Sequence, residues 1–217
     1  YAEAHTNLGN TLKELENLDD AVACYHKALA IRPDFAEACY NLGNAFLEQR
    51  KLDDAVASYH KALAIRPDYA EAHTNLGNAL KELGRLDDAV TSYHKALAIK
   101  PEFAEAHNNL GNAFQEQRKL DDAVASYHKA LTIKPDFADA HSNLGNALQD
   151  LGQLDDAVIS YHKALAIRPD YAEAHNNLGN ALQELGKLDE AVASYRKVLA
   201  INSDYAEGHY NLGSALK

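Results

Sequence analysis

The chain has 217 residues, of which 47% are hydrophobic, and a formal net charge of −11. A chain this apolar is not disordered, and its acidic balance, without a basic stripe, excludes nucleic acid as a partner. No apolar run reaches the length of a membrane span. We therefore expect no secretory leader, no membrane partner and a cytoplasmic location.

A unit of 34 residues repeats along the whole sequence without an insertion. A period of this length is typical of a stacked repeat protein, in which each unit buries its apolar face only against its neighbours. We assign repeat 1 to residues 1–34, repeat 2 to 35–68, repeat 3 to 69–102, repeat 4 to 103–136, repeat 5 to 137–170, repeat 6 to 171–204 and a partial seventh repeat, with a first helix only, to 205–217.

Each unit has the pattern of two antiparallel helices. In repeat 2, Asp34 and Glu37 have the spacing of a capping box at a helix start, and this first helix is expected to run to about Gln49. A second helix is expected from Asp53 until Pro67 ends it. In repeats 3, 5 and 6 a glycine stops the first helix; these glycines are Gly84, Gly152 and Gly186. The sequence thus predicts an all-α protein.

These units resemble tetratricopeptide repeats over the whole length of the chain. The residues that carry the resemblance in repeat 3 are Asn75, Leu76, Gly77, Asn78, Leu86, Ala89, Tyr93, Ala96 and Pro101. Histidine, once cysteine, replaces the usual large aromatic residue of the first helix, and leucine replaces the usual tyrosine at Leu86. The resemblance implies an α-solenoid, a right-handed superhelix of antiparallel helix pairs whose first helices line a concave groove.

A polar stripe runs along the first helix opposite its apolar stripe. In repeat 3 it consists of Glu71, Asn75, Asn78 and Glu82, whose spacings of four, three and four place them on one helical face. Stacking turns the stripe into rows. The first asparagine row is Asn7, Asn41, Asn75, Asn109, Asn143, Asn177 and Asn211, and the second is Asn10, Asn44, Asn78, Asn112, Asn146 and Asn180.

A side-chain amide offers two donors and an acceptor, so a row of them can hold the peptide bonds of an extended chain without reading its side chains. The first row resembles the asparagine ladder of the O-linked N-acetylglucosaminyltransferase family, whose repeat superhelix binds extended polypeptide. Two competing hypotheses stay open: the asparagines are solvated copies from recent duplication, or they bond across to the next repeat and set the stacking.

The stripe also carries acids near the C-terminal end of the first helix, where the helix dipole disfavours an anion. These residues are Glu48, Glu82, Glu116, Asp150 and Glu184. They favour a neutral or basic peptide over an acidic one. At the position before the first-row asparagine, which varies between repeats, Tyr40 and Tyr210 are candidates for ligand contact.

We expect no catalytic residue, no cofactor and no metal. Eleven histidines recur one per helix, without the paired ligands one turn apart that a tight metal site needs. The histidines of the first helices are expected to pack between helices. Cys24 and Cys39 are too few for a disulfide scaffold and are expected to be reduced thiols.

The sequence therefore predicts a protein-interaction module that binds an extended polypeptide in a groove, and not an enzyme. Two alternatives remain. The chain is the substrate-recognition arm of a larger glycosyltransferase, or it is a structural solenoid that associates end to end through the apolar faces of its terminal helices.

Overall fold

The computed structural model describes residues 1–216, so Lys217, the last residue assigned to the partial seventh repeat, lies outside the described residues. Within residues 1–216 there are thirteen α-helices and no strand, which confirms the all-α class. The helices are α1 Ala2–Glu14, α2 Leu18–Ile31, α3 Ala36–Glu48, α4 Leu52–Ile65, α5 Ala70–Glu82, α6 Leu86–Ile99, α7 Ala104–Glu116, α8 Leu120–Ile133, α9 Ala138–Asp150, α10 Leu154–Ile167, α11 Ala172–Glu184, α12 Leu188–Ile201 and α13 Ala206–Ala215.

The predicted helix ends are close to the observed ones, but the predicted capping box is wrong. The N-cap of α3 is Phe35, and it makes no side-chain hydrogen bond to the helix start. Phe35 packs against a small cluster of buried alanines, and the Arg32 guanidinium lies 3.4 Å above its ring. This contact fixes Phe35 as the residue before the helix, which leaves Asp34 one position too far away to cap it.

A left-handed residue ends the first helix of the hairpin, as predicted for the glycine repeats. Gly84, Gly152 and Gly186 have φ of 74°, and Arg85 N donates to Leu80 O at 2.9 Å, which is the Schellman pattern. The same turn occurs in repeats without this glycine. The residues with positive φ there are Glu16, Arg50 and Arg118, at 59° to 61°.

The chain divides into two compact units, the first being Tyr1–Ala113 and the second beginning at Phe114. In the first unit, α1 and α2, α3 and α4, and α5 and α6 form hairpins, and α2 and α4 also pack against the next first helix. In the second unit, α9 and α10 and α11 and α12 form hairpins, with α12 against α13. No helix within residues 1–216 is long and apolar enough to cross a membrane.

A buried tyrosine from each second helix fills the centre of its repeat, as predicted. These tyrosines are Tyr25, Tyr59, Tyr93, Tyr127, Tyr161 and Tyr195, and all are fully buried. The ring passes beneath a glycine of the first helix: a Cβ added at Gly77 would lie 2.5 Å from Tyr93 Cε1. Because glycine permits this approach, the tyrosine hydroxyl reaches the face of the first helix that carries the second-row asparagines.

Candidate functional site

In each unit both asparagine rows lie on one side of the first helices, and we call this surface of either unit the asparagine face. In the first unit Asn7 is exposed, whereas Asn41, Asn75 and Asn109 are half-buried. In the second unit the first-row asparagines are also half-buried. The second-row asparagines of both units are half-buried as well. The rows are therefore partly packed and partly open to a ligand.

Within each unit, first-row asparagines bond to second-row asparagines of the preceding repeat. Asn41 Nδ2 donates to Asn10 Oδ1 at 2.9 Å, and Asn75 Nδ2 donates to Asn44 Oδ1 at 2.9 Å. Equivalent bonds join Asn109 to Asn78 at 3.0 Å, Asn177 to Asn146 at 2.9 Å and Asn211 to Asn180 at 3.1 Å. The hypothesis that these amides bond across repeats is thus confirmed.

In each of these pairs a buried tyrosine hydroxyl donates to the same second-row carbonyl. We call the resulting chain of a tyrosine, a second-row asparagine and a first-row asparagine a tyrosine link. Tyr25 OH donates to Asn10 Oδ1 at 2.8 Å, and the same carbonyl accepts Asn41 from above. The equivalent pairs, all at 2.8 Å, are Tyr59 with Asn44, Tyr93 with Asn78, Tyr161 with Asn146 and Tyr195 with Asn180. Burial, assisted by nearby acids, raises the pKa of Tyr25 and Tyr195 to about 12, so the hydroxyls stay protonated donors.

This tyrosine link is a structural feature of the candidate site that sequence reasoning misses, although a signal for it is present. The tyrosine follows the second-row asparagine by fifteen residues in the hydrogen-bonded pairs, as in Asn10 and Tyr25. A constant spacing between two polar groups on different helices is compatible with a bond. Periodicity alone does not distinguish such a bond from two independent features, because every position in a repeat array keeps constant spacing.

The described bonds leave hydrogen-bond donors and acceptors of the asparagine face available to a ligand. Asn41 and Asn177 each use one Nδ2 hydrogen, so a second N–H and the carbonyl remain for a ligand. A second-row asparagine such as Asn10 accepts two bonds at its carbonyl and keeps both N–H donors. The cross-repeat bonds therefore fix the orientation of the amides without consuming them.

The row of acids is partly paired with cations from the preceding repeat. Lys13 Nζ lies 3.0 Å from Glu48, and Arg50 lies 2.5 Å from Glu82. Asp150 lies 3.7 Å from Arg118. Glu184 accepts a hydrogen bond from the neutral side chain of Gln149 at 2.5 Å. Glu116 is exposed at the end of α7. The asparagine face is less negative than a count of its acids suggests.

The variable position before the first-row asparagine is mostly internal rather than on the asparagine face. Its occupants Thr6, Thr74, Asn108, Ser142 and Asn176 are buried. Tyr40 is half-buried: its ring centroid lies 4.8 Å from that of Tyr69, and its hydroxyl accepts Asn75 Nδ2 at 3.0 Å. Tyr210 is 76% exposed. The structure thus gives Tyr40 a packing role, and ligand contact by either tyrosine stays a prediction.

The expectation that the histidines of the first helices pack between helices is confirmed for two of them, whereas His5, His107 and His175 are half-buried and His209 is exposed. His73 and His141 are buried, and their Nε2 atoms lie 3.0 and 2.9 Å from the carbonyls of Pro67 and Pro135. Among residues 1–216 no group of three or more His, Cys, Asp or Glu is placed to hold a metal ion. Cys24 and Cys39 are buried free thiols.

Sequence comparison decides the family. A profile described as TPR repeat matches residues 9–50, 43–84, 77–118 and 116–152, and a tetratricopeptide repeat profile matches residues 136–204. The chain belongs to the tetratricopeptide repeat family. Tetratricopeptide repeats are generally non-catalytic interaction modules, and the fold of this chain indicates a protein-interaction module. No curated protein sequence matches the chain significantly.

Solved structures of tetratricopeptide repeat proteins are similar to this fold. PilW, a type IV pilus biogenesis factor, is 25% identical over 100% of this chain and 98% of its own, with a TM-score of 0.88. YrrB, described as a TPR protein with an unusual peptide-binding site, is 22% identical over 86% of this chain and 96% of its own, with a TM-score of 0.67.

The structure of the APC/C hetero-tetramer Cut9–Hcn1 contains a longer relative. It is 20% identical over 100% of this chain, with a TM-score of 0.85, but this chain spans only 43% of that chain's length. At this identity the likeness concerns the fold alone.

Proposed function

We propose that this chain binds an extended polypeptide segment along the asparagine face, chiefly through the partner's peptide bonds. The observation that carries the proposal is that Asn41 and Asn177 keep one N–H and one carbonyl while a cross-repeat bond holds each side chain in place. An amide oriented in this way can donate to a peptide carbonyl and accept from a peptide N–H at once.

Fixing the amides in advance favours binding. A ligand that bonds to a mobile side chain loses part of its interaction energy to ordering that side chain, on the order of 0.5–1.5 kcal/mol each. Here Asn10, held by Tyr25, anchors Asn41, and Asn146, held by Tyr161, anchors Asn177. The tyrosines do not reach the ligand, and the bonds to Asn10 and Asn146 hold Asn41 and Asn177 directly.

The acids support a preference for neutral or basic partners over acidic ones. Glu48 and Glu82 are already paired with cations, so they add little to this charge preference. Glu184 receives the Gln149 amide, which leaves its charge unneutralised by that bond, so a Lys or Arg of the partner would gain most there. The peptide-binding description of YrrB is consistent with this use of the fold.

The test compares two double variants that damage the same two links. Asn41→Ala/Asn177→Ala removes the surface amides, whereas Tyr25→Phe/Tyr161→Phe removes only the buried hydroxyls beneath them. Each link should cost about 1 kcal/mol of stability in either variant. Both proteins are screened on an array of short peptides of acidic, neutral and basic composition, with circular dichroism as the folding control.

We expect the asparagine variant to lose affinity for neutral and basic peptides by about tenfold, which corresponds to ~1.4 kcal/mol. The tyrosine variant, with similar stability, should retain most of the binding. Equal binding by the wild type and a folded asparagine variant would exclude the asparagine face as the binding surface.

The two alternatives from the sequence remain predictions. The role of substrate-recognition arm of a larger glycosyltransferase rests on the resemblance of the asparagine row alone. End-to-end association has one structural correlate, since Leu8 and Leu15 of the first hairpin and Leu216 are exposed. Sedimentation velocity over a range of concentrations would detect it.

A further inference from the structure

A cleft lies on the side of the first unit formed by the second helices. It has a volume of about 690 Å³ and opens between α4 and α6, with α5 as its floor. Leu63, Leu76, Leu80 and Ile99 supply much of its apolar wall. Ile99 is 39% exposed, so this apolar surface is open to solvent.

The second unit contains an equivalent cleft between α8 and α10, over α9, with a volume of about 530 Å³. Leu131, Leu144 and Ile167 line it at the positions of Leu63, Leu76 and Ile99. The same chemistry thus recurs two repeats later, in the second compact unit. Volumes of this size are typical of ligand sites.

A lysine faces each cleft. Lys95 from α6 lines the first cleft and is exposed at its rim, and the exposed ring of His60 from α4 also lines it. Among the described lining residues, Asp88 is the one acid of the first cleft, and Arg85 already bonds to it at 2.7 and 2.9 Å. The second cleft has Lys163 and His128 without an acid among its described lining residues.

A buried histidine with an unused nitrogen lies in the wall of each cleft. His73 is 8% exposed, and its Nε2 bonds to Pro67 O, so its Nδ1 is left as an acceptor. This Nδ1 is buried and has no hydrogen-bond partner among the described residues, and the same is true of His141 in the second cleft. A buried polar atom without a partner costs stability, and a ligand that brings a donor would reduce this cost.

We propose that each cleft docks an acidic peptide segment, with an Asp or Glu carboxylate on Lys95 or Lys163 and a neighbouring aliphatic side chain between the leucines and the isoleucine. A peptide fits better than a small anion, because it supplies apolar side chains for the wall and N–H donors near the unpartnered histidine. These sites lie on a different side of the hairpin from the asparagine face and select the opposite charge.

The probe is a fluorescein-labelled peptide of alternating Glu and Leu, with a control peptide of alternating Lys and Leu, measured by fluorescence anisotropy. The test variant is Lys95→Glu/Lys163→Glu. The control variant Lys27→Glu/Lys51→Glu has the same net charge, and neither residue lines either cleft: Lys27 is the counterpart of Lys95 on α2, which has no preceding second helix in the described chain, and Lys51 directly precedes α4.

We expect the test variant to bind the acidic peptide at least about tenfold more weakly, since reversal places like charges together. The control variant should change affinity by less than about threefold, because distant surface charges are screened. Ile99→Ser/Ile167→Ser, which keeps the charge, should also weaken binding. Equal losses in the two lysine variants, or tighter binding of the Lys peptide at the clefts, would overturn the proposal.

Asn41→Ala/Asn177→Ala separates this site from the proposed function. It should leave binding of the acidic peptide unchanged within about twofold, since those amides lie on the far side of the hairpin. Loss of acidic-peptide binding in that variant would assign the peptide to the asparagine face and contradict the cleft.

Discussion

The asparagine face and the cleft side of the helix stack differ in whether their buried polar groups are hydrogen-bonded. On the asparagine face, Tyr25, Asn10 and Asn41 form a continuous chain of hydrogen bonds from the buried core of one repeat to the surface of the next. On the cleft side of the same stack, His73 keeps a buried nitrogen without a partner beside an open apolar wall.

The difference follows from which helices meet. Neighbouring first helices come close enough for side chains 31 residues apart to bond directly, as Asn10 and Asn41 do. Successive second helices leave a cleft between them, so their polar groups meet solvent or a ligand instead. One repeat sequence thus builds an ordered polar surface on one side and an incomplete apolar surface on the opposite side.

The largest expected effect is alkaline unfolding through the tyrosines beneath the asparagine face. Burial raises the pKa of Tyr25 and Tyr195 to about 12, from an ordinary value of about 10. Between these values the unfolded chain has lost protons that the folded chain keeps, so stability falls as pH rises. Circular dichroism should find full structure at pH 9 and loss of it as the pH approaches 12.

Tyr25→Phe/Tyr161→Phe is the check on this assignment. At alkaline pH it should lose less stability than the wild type, relative to their values at pH 8, because burial raises the pKa of both Tyr25 and Tyr161 and the variant lacks both hydroxyls. An identical alkaline transition in both proteins would assign the effect to different groups.

The close approach of glycine to tyrosine should be sensitive to one added methyl group. Gly77→Ala or Gly145→Ala places a Cβ about 2.5 Å from a buried ring carbon, which should cost about 1–3 kcal/mol. Gly213→Ala is the matched control, because a Cβ there meets nothing within 4 Å. It should be neutral or stabilising by up to about 1 kcal/mol. Urea denaturation measures both, and equal effects would contradict the packing of tyrosine beneath glycine.

Second-row asparagines should matter more for stability than first-row ones. Asn44→Ala leaves Tyr59 OH without its acceptor and leaves Asn75 with Tyr40 OH alone, at a cost of about 1–3 kcal/mol. Asn41→Ala removes one partly exposed donor and should cost about 1 kcal/mol or less. Thermal denaturation compares the two. The reverse order would mean that the surface amide, and not the tyrosine link, holds the repeats together.

A substitution in the turn between the two helices of the first hairpin should have a smaller, stabilising effect. Glu16 adopts φ of 59° where Gly84 adopts 74° in another repeat. Glu16→Gly should raise the free energy of unfolding by about 0.5–1 kcal/mol, because glycine avoids the left-handed penalty. Gly84→Glu should lower it by a similar amount. A destabilised Glu16→Gly would mean that the loss of chain entropy outweighs the relief of strain.

The smallest effect concerns the cleft histidines in mild acid. Burial lowers the pKa of His73 and His141, and nearby Lys95 and Lys163 act in the same direction. The folded state therefore favours the neutral ring, and stability should fall as pH drops below about 6.5, where the unfolded histidine takes up a proton. His73→Gln/His141→Gln should reduce the difference in urea midpoint between pH 7.5 and pH 5.5.

Periodicity predicts most of the fold. In repeat 2 the pattern places the end of the first helix near Gln49 and the start of the second at Asp53, and the helices end at Glu48 and begin at Leu52. The start of the first helix is harder to predict from the sequence. Asp34 has the right spacing to cap α3, but the ring contact of Phe35 determines where the helix begins.

The site is predictable in position but not in its bonding. The asparagine rows lie together on the surface of the first helices, yet their mutual bonds depend on the distance between neighbouring repeats, which a single repeat does not specify. The clefts cannot be predicted from the sequence either, because they depend on how neighbouring helices pack. His60, His73 and Lys95 belong to three different helices, and only packing brings them to one cavity.

The central claim is that the surface amides of the asparagine face contact the backbone of a bound peptide. The most direct measurement is a titration of ¹⁵N-labelled protein with a neutral or basic peptide selected on the array, following the side-chain amide signals by NMR. We predict that the Asn41 and Asn177 amide signals shift on binding while those of the buried Asn108 and Asn176 do not. Saturable peptide binding with the Asn41 and Asn177 signals unchanged would contradict the account.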